Sequence, residues 1–434
     1  MTKQIVFIAC LIATLGIFSF TVFRLYQLFK LTKKFPIGNY GKRFSLMLEV
    51  AIGQTKIFRK PVIGFVHALV FWGFLVILIG SIEIIIDGLF GVEKSLAFLG
   101  MAYNIIFASG DVFAFIILIA IILFLGRRAF LNIKRFSGVE MTHKSHLDAY
   151  IALTIILLLM VSLIGMNTFY VASTNQADLK GIYPVSSYFA GIIGSGEEDF
   201  DIYQAFWWMH ILLIFIFANM LPYSKHFHVF LSVPNVFLSR LDPLGKLPNM
   251  DSITQEIKSM MNPETAYAAP SGEVAPPERF GVKDVEDVTW KNYFDSLSCT
   301  QCGRCTSVCP ANITGKKLSP RKVMMDLRYR MNEKGPQLVK NGKDYTDNKS
   351  LLKDCISVEE IWACTTCNAC AQECPININH PTLIVDMRRY LVMEESAAPG
   401  GLNSIFTNIE NNGAPWQFSA QDRLLWTNEL YIKE

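Results

Sequence analysis

The chain has 434 residues, of which 51% are hydrophobic and 18% charged, and its formal net charge is +3. This charge is too small to indicate nucleic-acid binding. The positive mean hydropathy is atypical of a soluble protein and predicts long apolar segments. We find no glycine-rich phosphate loop between a strand and a helix, and no Ser/His/Asp or Cys/His grouping typical of nucleophilic catalysis.

Five apolar runs, each close to the roughly 20 residues that cross about 30 Å of hydrocarbon, predict membrane-spanning helices. They lie at about residues 5–28, 62–86, 104–125, 148–171 and 204–221. The first run is longer than the core of a secretion signal and lacks a convincing cleavage site, so we interpret it as a retained anchor.

Loop charges predict the orientation of these helices. Lys and Arg are concentrated at residues 30–60 and 127–144, whereas the two other loops are poor in both residue types. Basic loops face the cytoplasm. We therefore expect a multi-pass protein of the bacterial cytoplasmic (inner) membrane, with its N-terminus outside and everything after residue 230 in the cytoplasm.

Histidines within the apolar runs are candidate cofactor ligands, because an unpaired histidine in a membrane is costly. His67 lies near the start of the second run and His210 in the fifth, with His226 and His228 just after it. A continuous helix would place His210 and His228, five turns apart, on one face. Since two imidazoles from neighbouring helices can hold haem iron, we predict a b-type haem between His67 and His228, with His226 as reserve ligand. Headgroup contact beside Lys225 is the alternative for His226 and His228.

Acidic residues at membrane depth are candidates for proton transfer. They are Asp111 in the third run, and Glu83 with Asp87 near the outer end of the second. The alternatives are a polar bond within the helix bundle for Asp111 and interfacial solvation for the other two. Cys10 and Cys355 are interpreted as packing residues.

Beyond the membrane helices, residues 241–289 predict a linker, because 262–289 are rich in Pro, Ala and charge and lack apolar periodicity. Residues 290–394 predict a two-cluster domain and 395–434 a C-terminal tail. Between its cysteines, Pro320 to Met331 and Val358 to Ala363 predict helices, and no stretch alternates as a strand.

Eight of the ten cysteines form two copies of one pattern, CxxCxxCxxxCP, and such a run holds [4Fe-4S] clusters in bacterial ferredoxins. The fourth cysteine of each run ligates the other cluster. We therefore predict two clusters, one held by Cys299, Cys302, Cys305 and Cys374, the other by Cys364, Cys367, Cys370 and Cys309. Structural zinc is the alternative, but it favours two ligand pairs separated by longer gaps. Thiols kept for iron also indicate the reducing cytoplasm.

The segment HILLIFIFANMLPYSKHFHV, His210 to Val229, resembles the fifth helix of the nitrate reductase gamma subunit, which binds two haems b and oxidises quinol. In that family two histidines stand 18 residues apart, and a proline, a serine and a basic residue precede the second. The matching residues here are His210, Pro222, Ser224, Lys225 and His228. Ser81 follows WGFLVILIG where the family's second helix carries its outer haem ligand. The resemblance therefore implies one inner haem and leaves His210 as a quinone-site residue, a second-haem ligand or a core histidine.

As a whole, the chain resembles heterodisulfide-reductase-like membrane electron carriers, and within them the electron-transfer flavoprotein:menaquinone oxidoreductases. The resemblance covers residues 1–240 as the gamma-like membrane domain and 290–430 as the cluster domain. It implies an all-α fold, in which a five-helix transmembrane bundle is followed by a helical ferredoxin-like domain. Residues 409–426 resemble a connector that leads into cysteine-rich CCG domains in larger relatives. Because the sequence ends at Glu434, we expect a separate CCG-domain or flavoprotein partner, docking on the tail.

The expected function is that of an oxidoreductase of the respiratory chain. It would pass electrons between this cytoplasmic partner and membrane quinone, menaquinone by resemblance, through two [4Fe-4S] clusters and haem b. A membrane-anchored ferredoxin that reduces metal for cytochrome oxidase assembly, and a cluster-based redox sensor, remain alternatives. The histidine pattern favours the respiratory function, because neither alternative requires haem ligands on two helices.

Overall fold

The computed structural model describes residues 2–194, 196–262 and 279–430, and these residues form helices and no extended strand. The N-terminal half contains α1 (Thr2–Phe29), α2 (Tyr40–Met47), α3 (Pro61–Phe90), α4 (Met101–Phe130), α5 (His143–Ser173), α6 (Pro184–Ile193), α7 (Asp199–Met220) and α8 (His228–Phe237). The C-terminal half contains α9 (Asp251–Met261), α10 (Trp290–Ser298), α11 (Arg304–Ser307), α12 (Pro310–Ile313), α13 (Pro320–Asn341), α14 (Val358–Ala363), α15 (Ala369–Glu373), α16 (His380–Arg389), α17 (Gly400–Asn412) and α18 (Leu425–Asn428). The predicted all-α class is confirmed.

Five helices of the N-terminal half are long and apolar enough to cross a membrane: α1, α3, α4, α5, and α7 with the turn that continues it to Tyr223. At 1.5 Å per residue, the 30 residues of α3 extend about 45 Å, more than the thickness of the hydrocarbon layer. Pro61 begins α3, where its missing N–H costs nothing, and Gly91 ends it with a positive φ of 66°. All five predicted spans are confirmed.

Small residues allow these helices to pack closely. A Cβ on Gly88 would lie 2.6 Å from the ring of Phe7, and one on Gly165 would lie 2.7 Å from the ring of Phe206. Gly88 thus brings α3 against α1, and Gly165 brings α5 against α7. Large apolar side chains such as Ile12 and Phe65 stay exposed on the outside of the bundle, as expected for helices that face lipid.

The fifth span does not continue as one helix to His228, contrary to the straight helix assumed from the sequence. After α7 the chain forms two short 3₁₀ turns, Leu221–Tyr223 and Lys225–Phe227, separated by Ser224 in an extended conformation (φ −92°, ψ 158°). Pro222 has no N–H to continue the helical ladder, and the Ser224 hydroxyl caps the second turn by accepting from the His226 N–H. His210 and His228 therefore do not share the face of a single helix.

The predicted linker is interrupted by ordered structure at both ends. Residues 251–261 form α9, and Val282, Val285 and Val288, at most 3% exposed, belong to the core of the C-terminal half. Their spacing of three residues is an apolar periodicity that the composition argument overlooked. Residues 263–278, the most Pro- and Ala-rich part, lie outside the described residues.

The C-terminal half docks on the end of the bundle that carries the basic loops. The backbone of Lys33 exchanges hydrogen bonds with Val288 and Trp290, at 2.8 and 3.0 Å. Arg321, 1% exposed, forms an ion pair of 2.7 Å with Glu140 in the loop between α4 and α5. The cysteine runs and both basic loops therefore lie at the same end of the membrane helices.

Candidate redox centres

The first three cysteines of the first run meet the last cysteine of the second run. Cys299 follows α10, Cys302 lies in the turn before α11, Cys305 lies within α11, and Cys374 follows α15. Burial and the neighbouring Cys302 and Cys299 sulfurs raise the pKa of the Cys374 thiol to about 12. Burial, followed by the sulfurs of these same three residues and that of Cys370, also raises the pKa of Cys305. We call this group the first quartet.

The other four cysteines surround a second space. Cys309, Cys364, Cys367 and Cys370 line one cavity together with Pro310, Pro381 and Ile384. Burial, followed by the sulfurs of Cys364 and Cys309, raises the pKa of Cys370. We call this group the second quartet. Both groupings follow the crossed pattern expected from the sequence.

The donor chemistry of both quartets suits iron–sulfur clusters. Among residues 2–194, 196–262 and 279–430, no three His, Cys, Asp or Glu side chains gather closely enough to bind a single metal ion directly. A [4Fe-4S] cluster is held by four cysteine thiolates, and each quartet supplies four. The N–H of Thr366 lies 3.4 Å from Sγ of Cys364, and backbone N–H groups also point at Cys299 and Cys374. Such N–H···S bonds tune the reduction potential of bound clusters.

Three of the four candidate membrane histidines gather at the bundle end beneath the first quartet. His67, near the start of α3, lies within electrostatic reach of His228 and of Arg304 in α11. The ring centroids of His226 and His228 are 5.9 Å apart. Nδ1 of His228 lies 3.3 Å from the carbonyl oxygen of Lys225, so a proton on Nδ1 leaves Nε2 free to bind a metal. In the described part of the chain, Nδ1 of His67 is buried without a hydrogen-bond partner.

His210 lies apart from these histidines, inside the bundle and 2% exposed. Its Nδ1 lies 2.9 Å from Oγ of Ser162 and 3.1 Å from the carbonyl oxygen of Leu159. Its Nε2 has no hydrogen-bond partner among the described residues, and it faces a cavity between α3, α4, α5 and α7. The polar residues that share this cavity are Ser81, Glu83, Lys94, Asp111 and Asn167.

Asp111 is fully occupied as a structural acceptor. Its carboxylate accepts hydrogen bonds from the backbone N–H groups of Val185 and Ser186, at 2.8 and 3.0 Å, and from the side chains of Ser186 and Asn167. These contacts fix the N-terminus of α6, a helix that the sequence analysis did not predict. The arrangement favours the alternative stated for Asp111, a polar bond within the bundle, over proton transfer.

Glu83 and Asp87 accept hydrogen bonds from the backbone of the loop that follows α3, whereas the alternative stated for them was interfacial solvation. Glu83 is 1% exposed and accepts from the Leu96 N–H at 3.0 Å, while Asp87 accepts from the N–H groups of Lys94 and Ser95. Together they cap the 3₁₀ turn Ser95–Leu99. The backbone N–H groups at the start of this turn therefore satisfy both carboxylates, and Asp87 itself is half-buried.

Lys94 is a polar cavity residue that the sequence analysis missed. It is 9% exposed, and its ammonium group lies 4.4 Å from the ring centroid of Tyr170 and 5.2 Å from that of Tyr183. Such cation–π contacts compensate for lost hydration. No local signal distinguishes Lys94 from an ordinary loop lysine, because its aromatic neighbours are remote in sequence.

Comparison with known proteins agrees with the geometry of the quartets. Residues 298–378 match the family model described as a 4Fe-4S dicluster domain. The chain contains a 4Fe-4S dicluster domain. The predicted pair of iron–sulfur clusters is thereby supported, whereas the assignment of each cysteine to a cluster stays a prediction.

The relatives of the whole chain are iron–sulfur oxidoreductases. It is 30% identical over 430 residues to the "Probable iron-sulfur-binding oxidoreductase FadF" of Bacillus subtilis, covering 90% of this chain and 56% of the relative. It is 28% identical over 415 residues to the "EtfAB:quinone oxidoreductase" of Syntrophomonas wolfei, covering 88% of this chain and 54% of the relative. The chain thus spans about half the length of these curated relatives.

Shorter matches include a "Probable membrane-anchored ferredoxin" of Chromohalobacter salexigens, 33% identical over 173 residues, covering 35% of this chain and 24% of the relative. Subunits of heterodisulfide reductases also match over about a third of the chain or less. The predicted resemblance to heterodisulfide-reductase-like iron–sulfur oxidoreductases is confirmed. No solved structure matches this chain significantly.

The dicluster domain faces the membrane helices through its first quartet. Lys56, between α2 and α3, donates to the carbonyl oxygen of Cys374 at 3.3 Å, and Arg304 donates to the carbonyl oxygen of Lys56 at 2.9 Å. The side chain of Gln301 accepts from the Ser145 hydroxyl at the start of α5. In the second quartet, by contrast, Cys367 is exposed. One quartet therefore lies against the bundle and the other opens to solvent.

Proposed function

We propose that the protein transfers electrons between a cytoplasmic redox partner and a quinone in the bilayer. The observation that carries this proposal is the position of the first quartet, which docks at the bundle end where His67, His226 and His228 lie together. A single chain thus joins cysteines suited to iron–sulfur clusters with histidines in membrane helices. The relative named EtfAB:quinone oxidoreductase supports this function.

The two quartets would hold the two [4Fe-4S] clusters in the crossed arrangement. Cys299, Cys302, Cys305 and Cys374 would bind one, and Cys364, Cys367, Cys370 and Cys309 the other. When bound, the clusters and a haem supply one-electron transfer, and the protein sets their positions, burial and hydrogen bonding. The exposed Cys367 makes the second quartet the side that faces the partner.

His67 and His228, on different helices, would hold a b-type haem. The hydrogen bond between Nδ1 of His228 and the carbonyl of Lys225 fixes the ring and directs Nε2 away from the backbone. His226 is the reserve ligand. Its Nδ1 lies 3.0 Å from Oγ of Ser224, so this hydrogen bond leaves Nε2 of His226 available to bind iron.

The cavity at His210 suits a quinone headgroup, for which menaquinone is the expected type. If Nδ1 of His210 donates to the Leu159 carbonyl, Nε2 presents a lone pair to the cavity and can accept a proton from a quinol hydroxyl. Glu83 and Lys94 line the same cavity and supply further polar contacts. A second haem ligated by His210 is the competing occupant, and haem stoichiometry distinguishes the two.

The partner and the orientation belong to the same proposal. The dicluster domain docks at the end that carries the basic loops, which favours a cytoplasmic position in the bacterial inner membrane with the N-terminus outside. The partner that suits the second quartet is a flavoprotein of the electron-transfer type or a CCG-domain subunit. Residues 395–430, which carry the exposed Phe406, Trp416 and Trp426, would help to dock it.

A membrane-anchored ferredoxin without quinone chemistry is the second candidate, favoured by the match to the protein of that name from Chromohalobacter salexigens. Such a protein would reduce metal during cytochrome oxidase assembly and would need no haem. A redox sensor is the remaining alternative.

The deciding experiment is spectroscopic analysis of the full chain, purified in detergent without oxygen. We expect about eight iron and eight sulfide atoms per chain, as two [4Fe-4S] clusters require, and the α band of reduced b-type haem. His67→Ala should abolish this band and preserve iron and sulfide, because the eight cysteines that would hold the clusters do not include this residue of α3. Wild-type protein with clusters but no haem would refute the quinone route and support the ferredoxin function.

A further inference from the structure

Several cationic side chains surround the first quartet, and one of them, Arg321, acts on Cys299 but is paired with Glu140. Lys56 reaches the carbonyl oxygen of Cys374 with its ammonium group. Lys225 and Arg328 lie within electrostatic reach of Cys299, and Arg135 lies within reach of Cys302. We call Lys56, Arg135, Lys225 and Arg328 the cationic collar. Three of them belong to segments that connect or follow the membrane helices, and Arg328 lies on α13 of the dicluster domain.

Backbone contacts fix the collar against the cysteines. A Cβ on Gly303 would lie 2.2 Å from the carbonyl oxygen of Arg135, so the loop that carries Arg135 presses directly on the turn between Cys302 and Cys305. Nη2 of Arg328 donates to the carbonyl oxygens of Pro222 and Ser224, at 3.3 and 3.1 Å. The collar thus forms only when the dicluster domain is docked on the membrane helices.

The collar is only partly neutralised. None of its members forms an ion pair with a carboxylate within the described parts of the chain. Asp148 acts on both Lys225 and Arg328, and it accepts from the backbone N–H of Lys225 at 3.1 Å. Glu373 and Glu49 also act on Lys56, but less strongly than Cys374 does. Lys225 and Arg328 are 6% and 7% exposed, so water screens their charges weakly.

The second quartet has a different electrostatic environment. Arg388 acts on it through Cys364, and its guanidinium donates to the carbonyl oxygens of Ile361 and Cys364. Water reaches this quartet at Cys367 and stabilises added charge there, but a solvated site feels fixed charges less than a buried one.

We propose that the cationic collar raises the reduction potential of the cluster at the first quartet above that of the cluster at the second. Reduction adds one negative charge to a site that already carries four thiolates, and buried cations nearby stabilise that charge. One electron would pass from the centre at the second quartet to the centre at the first quartet. The transfer oxidises the second quartet's centre and reduces the first quartet's centre. A one-electron donor of the partner restores the former. The collar thereby directs electrons from the solvent-facing quartet towards the membrane.

This inference rests on the cluster assignment of the proposed function, but not on the haem or the quinone. It is tested by a redox titration of the full-length protein in detergent, followed by electron paramagnetic resonance, so the readout is a midpoint potential and not turnover. Lys56→Gln and Arg135→Gln are the test variants, because both side chains are only half-buried and tolerate neutral replacement better than Lys225 or Arg328.

We expect the midpoint potential of the higher-potential signal to fall by about 59 mV in each variant. For one electron this is a tenfold change in the reduction equilibrium. The lower-potential signal should stay in place. Arg388→Gln should shift only the lower-potential signal, which assigns it to the second quartet. Lys56→Arg should retain the wild-type potential, and Lys349→Gln, which changes an exposed lysine paired with Glu333, should shift neither signal.

Several results would overturn the inference: equal shifts of both signals, no shift in either test variant, or movement of the lower-potential signal in Lys56→Gln. Iron and sulfide contents are measured for every variant, and Arg135→Gln replaces Lys56→Gln if the latter loses a cluster. A failure of the quinone function would leave these shifts unchanged, whereas a failure of the collar would leave the haem spectrum unchanged. The two failures are therefore distinguishable.

Discussion

We expect loss of the ion pair between Arg321 and Glu140 to weaken the docking of the dicluster domain on the membrane helices more than loss of any other single contact. Their charged groups are 2.7 Å apart, and their side chains are 1% and 4% exposed. Arg321 also donates to the carbonyl oxygens of Arg135 and Ser137, at 2.6 and 2.8 Å. Glu140→Gln removes the negative charge and leaves the guanidinium buried without a counterion.

Breaking a buried ion pair from one side costs about 3–5 kcal/mol, which corresponds to about two to four powers of ten in a docking equilibrium. We expect the loop at residues 131–142 to separate from the dicluster domain, because Arg135 and Ser137 are held by the same guanidinium. The assay is amide hydrogen exchange of this loop in the detergent-purified protein. Exchange should accelerate by at least tenfold, with the membrane helices unaffected.

A matched control is Glu359→Gln, which removes the partner of Lys317 in an ion pair of 2.6 Å whose side chains are 60% and 68% exposed. Exposed pairs contribute about 0–1 kcal/mol, so this variant should exchange like the wild type. If Glu140→Gln leaves the exchange of the loop unchanged, the pair does not hold the two halves together.

The same contact predicts a pH dependence. Burial tends to raise the pKa of Glu140, but the Ser319 hydroxyl and the Arg321 guanidinium prevail and hold the pKa of Glu140 below its usual value. A carboxyl group whose pKa is lower in the docked state stabilises that state at pH values above its undocked pKa. This contribution is lost as the pH falls through the docked-state pKa. Loop exchange in the wild type should therefore accelerate below about pH 4.3, the ordinary pKa of glutamate, and Glu140→Gln should lack this change.

Three further predictions address the individual centres. Cys374→Ser should lower the iron content by about half and remove the same resonance signal as Cys302→Ser, although the two cysteines belong to different runs; loss of different signals would exclude crossed ligation. His210→Ala should retain the b-type haem α band and weaken the inhibition of quinone-linked electron transfer by a quinol analogue such as 2-heptyl-4-hydroxyquinoline N-oxide. Loss of the band would make His210 a haem ligand instead. Asp111→Asn should cost about 1–3 kcal/mol of unfolding free energy in a denaturant titration, because hydrogen bonds to α6 are weakened, and should leave haem content unchanged.

The sequence alone determined the parts of this protein that depend on local patterns. Five apolar runs were sufficient to predict five spans, because crossing a hydrocarbon layer requires a continuous helix of fixed minimum length. Two regular cysteine runs were sufficient to predict a dicluster domain, because cluster ligation constrains the spacing of thiolates within a run.

Tertiary structure decided the features that depend on contacts between distant residues. The three valines at 282, 285 and 288 are too few to reveal a core by composition, and they are buried only because the rest of the dicluster domain covers them. The break at Ser224 follows from a proline and a serine cap that a helical projection ignores. Asp111 was predicted as a polar group at membrane depth, but three of its hydrogen bonds come from the start of a short helix more than 70 positions along the chain. The cationic collar assembles from three membrane-side segments and one helix of the dicluster domain, so its charges act together only after docking.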